Sequence, residues 1–244
     1  RALAGDMVTA GITTREIDRA VHDFIVSKGA TPTFLNYNGY PASLCISVND
    51  ELIHGIPGGR VLQDGDVVSI DVGATKDSYV GDCAATFIVG QGTEAARRLV
   101  EVTRQSFFEG IKFATAGNHL HQISAAIGDY AGSFGYGVVR DLCGHGIGKH
   151  MHEDPEIPNF RQFRRGIKLR PGMTLAIEPM VDLGSAEVVW MDDDWTVVTE
   201  DWSLSAHYEN TILITDGEPE IFTLTESEIA TGRWNQYLGR QTEA

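Results

Sequence analysis

The sequence repeats one ten-residue pattern, first as Leu62-Gln-Asp-Gly-Asp-Val-Val-Ser-Ile-Asp71 and again as Leu169-Arg-Pro-Gly-Met-Thr-Leu-Ala-Ile-Glu178. Each copy has a leucine, a turn that contains glycine, an apolar run and then an acidic residue in the same place. Upstream, Ala20-Val-His-Asp-Phe24 matches Ala126-Ile-Gly-Asp-Tyr130 at nearly the same spacing. Two matches in near register favour two similar halves that fold as one pseudo-symmetric domain.

The halves are placed at about residues 10–92 and 93–215, within a single domain that takes in the whole chain, 1–244. Each half is predicted to contain a helix, a glycine stop, a strand, a loop with a histidine, and a strand that ends at a carboxylate. This order indicates an α+β fold with a mainly antiparallel sheet flanked by helices. Helices are predicted from the Thr13-x-x-Glu16 capping box to Gly29, with Phe24 facing inward, at Thr93–Phe113 and at His119–Phe134. Strands are predicted at Ser43–Val48, Val67–Ala74, Ala84–Val89, Gly137–Leu142, Met173–Met180 and His207–Thr215.

Composition excludes several classes of protein. The formal net charge of −15 argues against a surface that binds nucleic acid or an anionic membrane. No apolar run reaches the roughly 18–20 residues that span a bilayer, and no signal peptide is evident. Three cysteines without CxxC pairing suit the reducing cytoplasm better than a disulfide framework. The chain starts without methionine, so it is expected to be part of a longer protein.

Acidic residues interrupt or end apolar strands at four places. Asp71 and Glu178 occupy the repeated position, Glu209 precedes Asn-Thr-Ile-Leu-Ile, and Asp82 follows Gly81, which is expected to allow an unusual backbone. Any one of them could lie on the wet face of an edge strand. Together they need neutralisation by protons, arginine or cations, and no arginine or lysine lies in these strands. The set favours two divalent ions that share bridging carboxylates.

Three histidines lie in loops that fit such a site. His145 stands in Gly144-His-Gly-Ile-Gly148, where glycines let the backbone pack closely and leave the imidazole uncrowded. His54 and His152 occupy similar positions before strands that carry candidate ligands, where a histidine can donate to an oxyanion or move a proton. Each alone is equally consistent with a polar loop residue. The other histidines, which lack comparable context, are His22, His119, His121, His150 and His207.

At this point the sequence resembles the methionine aminopeptidases, in the type I form of bacteria. The likeness covers essentially the whole chain, although the N-terminal segment is shorter than is usual in that family, so that the first helix is expected to be incomplete. It implies the pita-bread fold, with the metals between two pseudo-symmetric halves. The motifs that carry it are Tyr37-Asn-Gly-Tyr-Pro41, Ser47-Val-Asn-Asp-Glu51, His54-Gly-Ile-Pro57, Asp66–Gly73, Gly81-Asp82, Gly144–Gly148, His152-Glu-Asp-Pro155, Pro171-Gly-Met173, Ile177-Glu-Pro-Met180, Trp195-Thr-Val-Val198 and Tyr208-Glu209.

The resemblance also implies a role for each metal ligand. Asp71 would bind one divalent ion, His145 and Glu178 the other, and Asp82 and Glu209 would bridge the two. A metal-bound hydroxide would attack the carbonyl of an N-terminal methionine that precedes a small second residue, with Glu178 as the proton acceptor. Co, Mn, Fe or Zn would serve as the metal.

Two histidines and an apolar pocket complete the implied site. His152 would stabilise the tetrahedral intermediate, and His54 would contact the scissile amide or the leaving group. A monovalent cation is expected near Asn49, Glu51 and Ser205. The methionine pocket, which needs soft apolar contacts, is assigned to Phe34, Tyr37, Tyr40, Cys45, Met151 and Trp195, beside His54 and His152.

The family implies as partners the N-terminal methionines of nascent proteins or peptides, with the ribosome as a further contact, and a monomer is expected. Two rivals remain open. An Xaa-Pro peptidase shares the ligands but usually carries a large extra N-terminal domain and more histidines near the site. A binding protein on the same fold would have lost ligands, whereas all five are present here.

Overall fold

The computed structural model describes residues 1–240, which form an α+β molecule. The five α-helices are α1 (Ala2–Met7), α2 (Thr14–Ser27), α3 (Glu94–Ile111), α4 (Leu120–Gly132) and α5 (Glu226–Thr231), and 3-10 turns occupy Tyr37–Gly39 and Arg233–Leu238. The strands are β1 (Thr31–Pro32), β2 (Cys45–Val48), β3 (Glu51–Ile53), β4 (Val67–Lys76), β5 (Tyr79–Ile88), β6 (Gly137–Val138), β7 (Gly144–Gly146), β8 (Glu153–Ile157), β9 (Thr174–Ile177), β10 (Met180–Asp182), β11 (Val188–Trp190), β12 (Val197–Thr199), β13 (Ser205–His207), β14 (Asn210–Leu213) and β15 (Glu220–Ile221).

The strands form four small sheets, and their ladders are antiparallel as predicted. One sheet is built on β4, which pairs with β1, β2 and β5. A five-stranded sheet has the order β15-β14-β9-β7-β8, and two three-stranded sheets have the orders β13-β10-β6 and β11-β12-β3. The two copies of the repeated pattern therefore lead into the central strands of two different sheets, β4 and β9.

Helix α2 covers the β4 sheet. Its N-terminus is the predicted capping box, in which the Thr13 side chain accepts from the Glu16 amide and the Glu16 carboxylate accepts from the Thr13 amide. Ile17, Val21 and Ile25 pack with Leu44, which precedes β2, and with apolar residues of β2 and β4. Phe24, which was predicted to face inward, is 46% exposed because the buried stripe is narrower than the periodicity suggested.

Helices α3 and α4 cover the five-stranded sheet. Phe107 and Phe108 of α3 and Ile123 and Ile127 of α4 pack with apolar residues of β9 and β14 in one buried cluster. Burying side chains of this size contributes about 1.5–3 kcal/mol each. This packing holds β9, which ends just before Glu178, and β14, which begins just after Glu209.

Two long predicted strands are each interrupted at an acidic residue. Met173–Met180 divides into β9 and β10 around Glu178-Pro179, and His207–Thr215 divides into the end of β13 and β14 around Tyr208-Glu209. At each interruption the acidic residue lies between two strands and outside their ladders. The segment Gly137–Leu142 is a strand only at its first two residues.

Two expectations about the segment around Asp82 are corrected. Asp82 lies inside β5, which begins at Tyr79 and not at Ala84, and the backbone at Gly81 is ordinary strand without a positive φ. The acidic stretch Ala186–Asp194 forms the edge strand β11 and the turn that leads to Trp195. Among residues 1–240, no helix combines the length and apolar composition required to cross a membrane.

Candidate active site

Strands β4 and β5 place Asp71 and Asp82 on one side of their hairpin. In the ladder Asp71 is opposite Ala84, and Asp82 is opposite Gly73. The two acids are thus offset by two positions across neighbouring strands, a diagonal at which side chains reach each other. Asp82 is buried, with 2% of its surface exposed.

Glu209 is brought to this hairpin by backbone hydrogen bonds to β5. The amide of Glu209 donates to the carbonyl of Ala84 at 3.0 Å, and the amide of Ala84 donates back at 3.3 Å. Next to this pair, the Thr211 hydroxyl donates to the Asp82 carbonyl at 2.9 Å and accepts from the Asp82 amide at 3.0 Å. Asp82 and Glu209, which are distant in sequence, therefore have fixed relative positions.

His145 lies in the short strand β7 between two glycines that have no room for a side chain. A Cβ at Gly144 would lie 2.4 Å from the carbonyl oxygen of Ala176, and one at Gly146 would lie 2.1 Å from that of Asp154. The prediction that these glycines permit close backbone packing is confirmed. His145 Nδ1 lies 2.9 Å from the Gly146 carbonyl, so Nδ1 carries the proton and Nε2 is left to accept.

The acids and His145 converge in one buried cluster. His145 Nε2 lies 3.8 Å from Asp82 Oδ2 and 3.7 Å from Glu178 Oε1. Ligand atoms of Asp82, His145 and Glu209 all lie within 4.8 Å of one another. Within the described residues, one carboxylate oxygen each of Asp71, Asp82 and Glu209 is buried without a hydrogen-bond partner.

Burial among like charges changes the acidity of the cluster. Burial raises the pKa of Asp71 to about 7. Burial, followed by repulsion from the neighbouring acids, raises the pKa values of Asp82, Glu178 and Glu209 well above their ordinary range. Burial lowers the pKa of His145 to about 4, so its imidazole is neutral at pH 7. The pocket-lining residues include no lysine or arginine that could neutralise these acids.

Two further histidines face the same cavity. Burial lowers the pKa of His54 to about 4, and His54 itself adopts a left-handed backbone with φ of 59°. Burial also lowers the pKa of His152. His152 Nδ1 lies 2.8 Å from the hydroxyl of Tyr37, and its ring centroid is 4.4 Å from that of His145. Both histidines are therefore neutral at pH 7, and each carries one ring N–H that can donate.

An apolar pocket opens beside the acids, in a cavity of about 240 Å³. The Tyr40 hydroxyl lies 2.9 Å from the carbonyls of both Leu44 and Gly55, and its ring packs edge-on against Trp195 at 5.1 Å. Burial raises the pKa of the Cys45 thiol, which therefore stays protonated. The cavity is lined by Phe34, Tyr37, Asn38, Tyr40, Cys45, His54, Asp71, Asp82, His145, Met151, His152, Glu178, Trp195 and Glu209.

Three residues at the site were missed by the sequence analysis. Asn38 lines the cavity. His207 is fully buried, and its Nε2 lies 3.7 Å from Glu178 Oε2. Asn159 is also fully buried and donates to the Glu178 carbonyl at 2.9 Å. The signal for His207 was its position two residues before Glu209, which in a strand gives the same face. No local sequence pattern marks Asn159, because only the tertiary fold brings it next to Glu178.

The three residues named for a monovalent cation lie close together, away from this cavity. The Ser205 amide donates to the Asn49 carbonyl at 2.9 Å. The Asn49 side chain is bonded to Asp66 and Val67, and the Glu51 carboxylate to Arg60 and the Val48 amide.

Comparisons with known proteins agree with this geometry. The profile of metallopeptidase family M24 matches residues 1–216. A methionine aminopeptidase of Clostridium acetobutylicum is 55% identical over 217 residues, which are 88% of this chain and 87% of that protein. The crystal structure of methionine aminopeptidase from Rickettsia prowazekii matches with a TM-score of 0.90 at 40% identity, over 91% of this chain and 90% of that one.

A more distant structure shares the fold alone. Prolidase from Pyrococcus furiosus matches with a TM-score of 0.71 at 24% identity, and the match covers 92% of this chain but 59% of that one. The molecule therefore has the pita-bread fold that the sequence predicted. The chain belongs to metallopeptidase family M24, among the methionine aminopeptidases that its sequence resembles.

Proposed function

We propose that this protein is a metal-dependent aminopeptidase that removes the N-terminal methionine from proteins and peptides with a small second residue. The observation that carries the proposal is a single cavity that joins a buried cluster of four carboxylates and one neutral histidine to an apolar pocket. The cluster suits divalent cations, and the pocket suits a thioether side chain. The two more similar proteins named above are methionine aminopeptidases.

The cluster fits two divalent cations. Three of its buried oxygens lack partners, and cations are the groups that would bring the raised carboxylate pKa values down. Asp71 would hold one ion, His145 and Glu178 the other, and Asp82 and Glu209 would lie between them. Such ions act as Lewis acids and lower the pKa of water from about 16 towards 7. The donor set of oxygens and imidazole nitrogen accepts Co, Mn, Fe or Zn.

Three side chains would handle protons and the substrate carbonyl. Glu178 would accept a proton, since its carboxylate belongs to the cluster and lines the cavity. When the Tyr37 hydroxyl donates to His152 Nδ1, the ring proton stays on Nε2 and can donate to a developing oxyanion. His54 would donate to the scissile amide or the leaving group.

The pocket would bind the methionine side chain. The protonated Cys45 thiol presents no charge, and the anchored Tyr40 ring forms a fixed wall against Trp195. Phe34, which fills the space above Gly73, and Met151 are both buried. Soft, polarisable contacts of this kind favour a thioether over a charged or strongly polar side chain.

A monovalent cation beside Asn49, Glu51 and Ser205 is a separate part of the proposal. Asp182 pairs with Ser205 in the sheet, is fully buried, and has two oxygens without hydrogen-bond partners among the described residues. A cation would offset this buried charge. If it binds there, KCl should raise the melting temperature of the wild type more than that of Asp182→Asn, with choline chloride as the control salt.

The partners and setting proposed from the sequence stay proposals. The substrates would be the N-termini of nascent proteins, met in the cytoplasm and by contact with the ribosome, and the protein would act as a monomer. The net charge of −15 supports the proposal that it binds neither nucleic acid nor an anionic membrane.

The experiment that tests the proposal compares two peptides. The protein is treated with chelator, reconstituted with Mn²⁺ and incubated with Met-Ala-Ser or Ala-Pro-Ala, and released amino acids are measured by mass spectrometry. Metal-dependent release of methionine from the first peptide alone is expected. Release from the proline peptide alone would assign the protein to the Xaa-Pro peptidases, and no release with metal bound would contradict the substrate assignment.

A further inference from the structure

The segment that follows the family region packs back onto the active site. The family profile ends at residue 216, and residues 218–240, called here the C-terminal strap, contain β15, α5 and the 3-10 turn Arg233–Leu238. The strap is anchored to α3, where Tyr237 stacks on Phe108 at 4.8 Å. The Tyr237 hydroxyl and carbonyl accept from Arg104 and Gln105 at 3.2 Å and 2.8 Å.

A first arm of the strap reaches the backbone of Glu209 through Arg1. The Arg1 side chain is 4% exposed, and its guanidinium pairs with Glu228 of α5 at 2.6 Å. The same guanidinium donates to the Asn210 side-chain oxygen at 3.1 Å and to the Glu209 carbonyl at 3.4 Å. It also lies over the Tyr208 ring, 5.7 Å from its centroid. One buried cation therefore joins the strap to three consecutive residues at Glu209.

A second arm reaches Asp82 through Thr223. The Thr223 hydroxyl donates to the Asn210 side-chain oxygen at 2.8 Å and accepts from the Thr211 amide at 3.1 Å. The Thr211 hydroxyl in turn bonds both the amide and the carbonyl of Asp82. Both arms meet at Asn210, so the strap holds the two carboxylates that are proposed to lie between the ions.

We propose that the C-terminal strap is a positioning element that fixes Asp82 and Glu209 for metal binding, through Glu228 with Arg1 and through Thr223. This inference rests on the proposed function, because it assigns these two acids to metal. Groups that orient ligands in this way change metal affinity by about 10–100-fold when they are replaced. The anchor at Tyr237 is separate, so either arm can be removed while the strap stays attached.

The test measures Mn²⁺ binding by titration calorimetry on the chelated protein, residues 1–244. Glu228→Gln and Thr223→Val each remove one arm and should weaken Mn²⁺ binding about 10-fold. Two matched controls should bind within twofold of wild type. Thr223→Ser restores the hydroxyl, and Glu218→Gln removes a different ion pair of the strap, with Arg240 at 2.5 Å, that lies away from the site.

The outcomes separate this inference from the proposed function. Mn²⁺ affinity within twofold of wild type in both arm variants, with a lowered melting temperature, would make the strap purely structural and overturn the inference. Should Glu228→Gln fail to fold, the shape-preserving pair Thr223→Val and Thr223→Ser decides alone. A wild type that binds Mn²⁺ but releases no methionine would contradict the proposed function while leaving the strap inference to be judged on affinity.

Discussion

The titration of a single buried acid, Asp182, makes the folding stability of this protein depend on pH. Burial raises the pKa of Asp182 from its ordinary 3.8 to about 7, and the negative charges of Asp201 and Glu187 add to this increase. The folded state thus holds a proton that the unfolded chain releases near pH 4. Folding stability is therefore lost as the pH rises from about 4 to about 7, and the loss levels off above that.

Replacing Asp182 with asparagine should remove this loss. Asp182→Asn is expected to stabilise the protein by roughly 2–4 kcal/mol at pH 8, with a gain that shrinks as the pH falls towards 4. Urea unfolding at a series of pH values measures it. Asp6→Asn is the control, since Asp6 is an exposed aspartate of helix α1 and should give no such pH-dependent gain. A gain that stays constant with pH would contradict the assigned titration.

His152 is expected to matter for turnover and little for stability. It is exposed and has one side-chain bond, to Tyr37. His152→Ala should lower kcat about 100-fold, as the loss of one oxyanion donor does, and should change the free energy of unfolding by about 0.5 kcal/mol. The neighbouring exposed His150, replaced by alanine, should change neither. Equal loss of activity and stability in His152→Ala would indicate a structural role.

The strands hold the residues of the site in position. Strand β7 can lie close to β9 because Gly144 has no side chain. Alanine at Gly144 would place its Cβ 2.4 Å from the Ala176 carbonyl, so β7 must move from β9 and carry His145 with it. Gly144→Ala should cost about 1–3 kcal/mol of stability and weaken Mn²⁺ binding about 10-fold. Gly132→Ala, at an exposed helix end without a clash, should leave binding unchanged. Unchanged affinity in Gly144→Ala would show that β7 need not fit this closely.

The sequence predicted elements well where the signal is local. The Thr13 capping box and the start of α3 after Thr93 depend on neighbouring residues, and both were predicted. The predicted residues of the cavity came from the repeat or from the family resemblance, and among the fourteen lining residues only Asn38 was not predicted. The roles of these residues and the bounds of the two halves stay predictions.

Elements set by long-range packing were predicted poorly. The interruptions at Glu178 and Glu209 occur where the chain passes from one sheet to another, which periodicity cannot reveal. Asn159 reaches Glu178 only through the fold. The strap was not predicted at all, although Thr225-x-x-Glu228 is a capping box whose two bonds are present at the start of α5. A local signal was available there, but its partner Arg1 lies at the other end of the sequence.

At the scale of the whole molecule, metal binding should couple to folding and to pH. The cluster acids have raised pKa values and must lose protons to bind cations, so affinity should fall as the pH falls. Mn²⁺ at about 100 times its dissociation constant stabilises by about 2.7 kcal/mol. Its effect on melting temperature should therefore be large at pH 8 and much smaller at pH 5.5. Scanning calorimetry with and without Mn²⁺ measures this, and an equal shift at both pH values would argue that the buried acids are not the ligands.

The most direct test of the account is a titration of activity with metal. Chelated protein receives Mn²⁺ in increasing molar equivalents, and methionine released from Met-Ala-Ser is measured at each step. The account predicts no release without metal and a rise that reaches its plateau by two equivalents. Full release from the chelated, metal-free protein would contradict the claim that this buried cluster works by holding divalent cations.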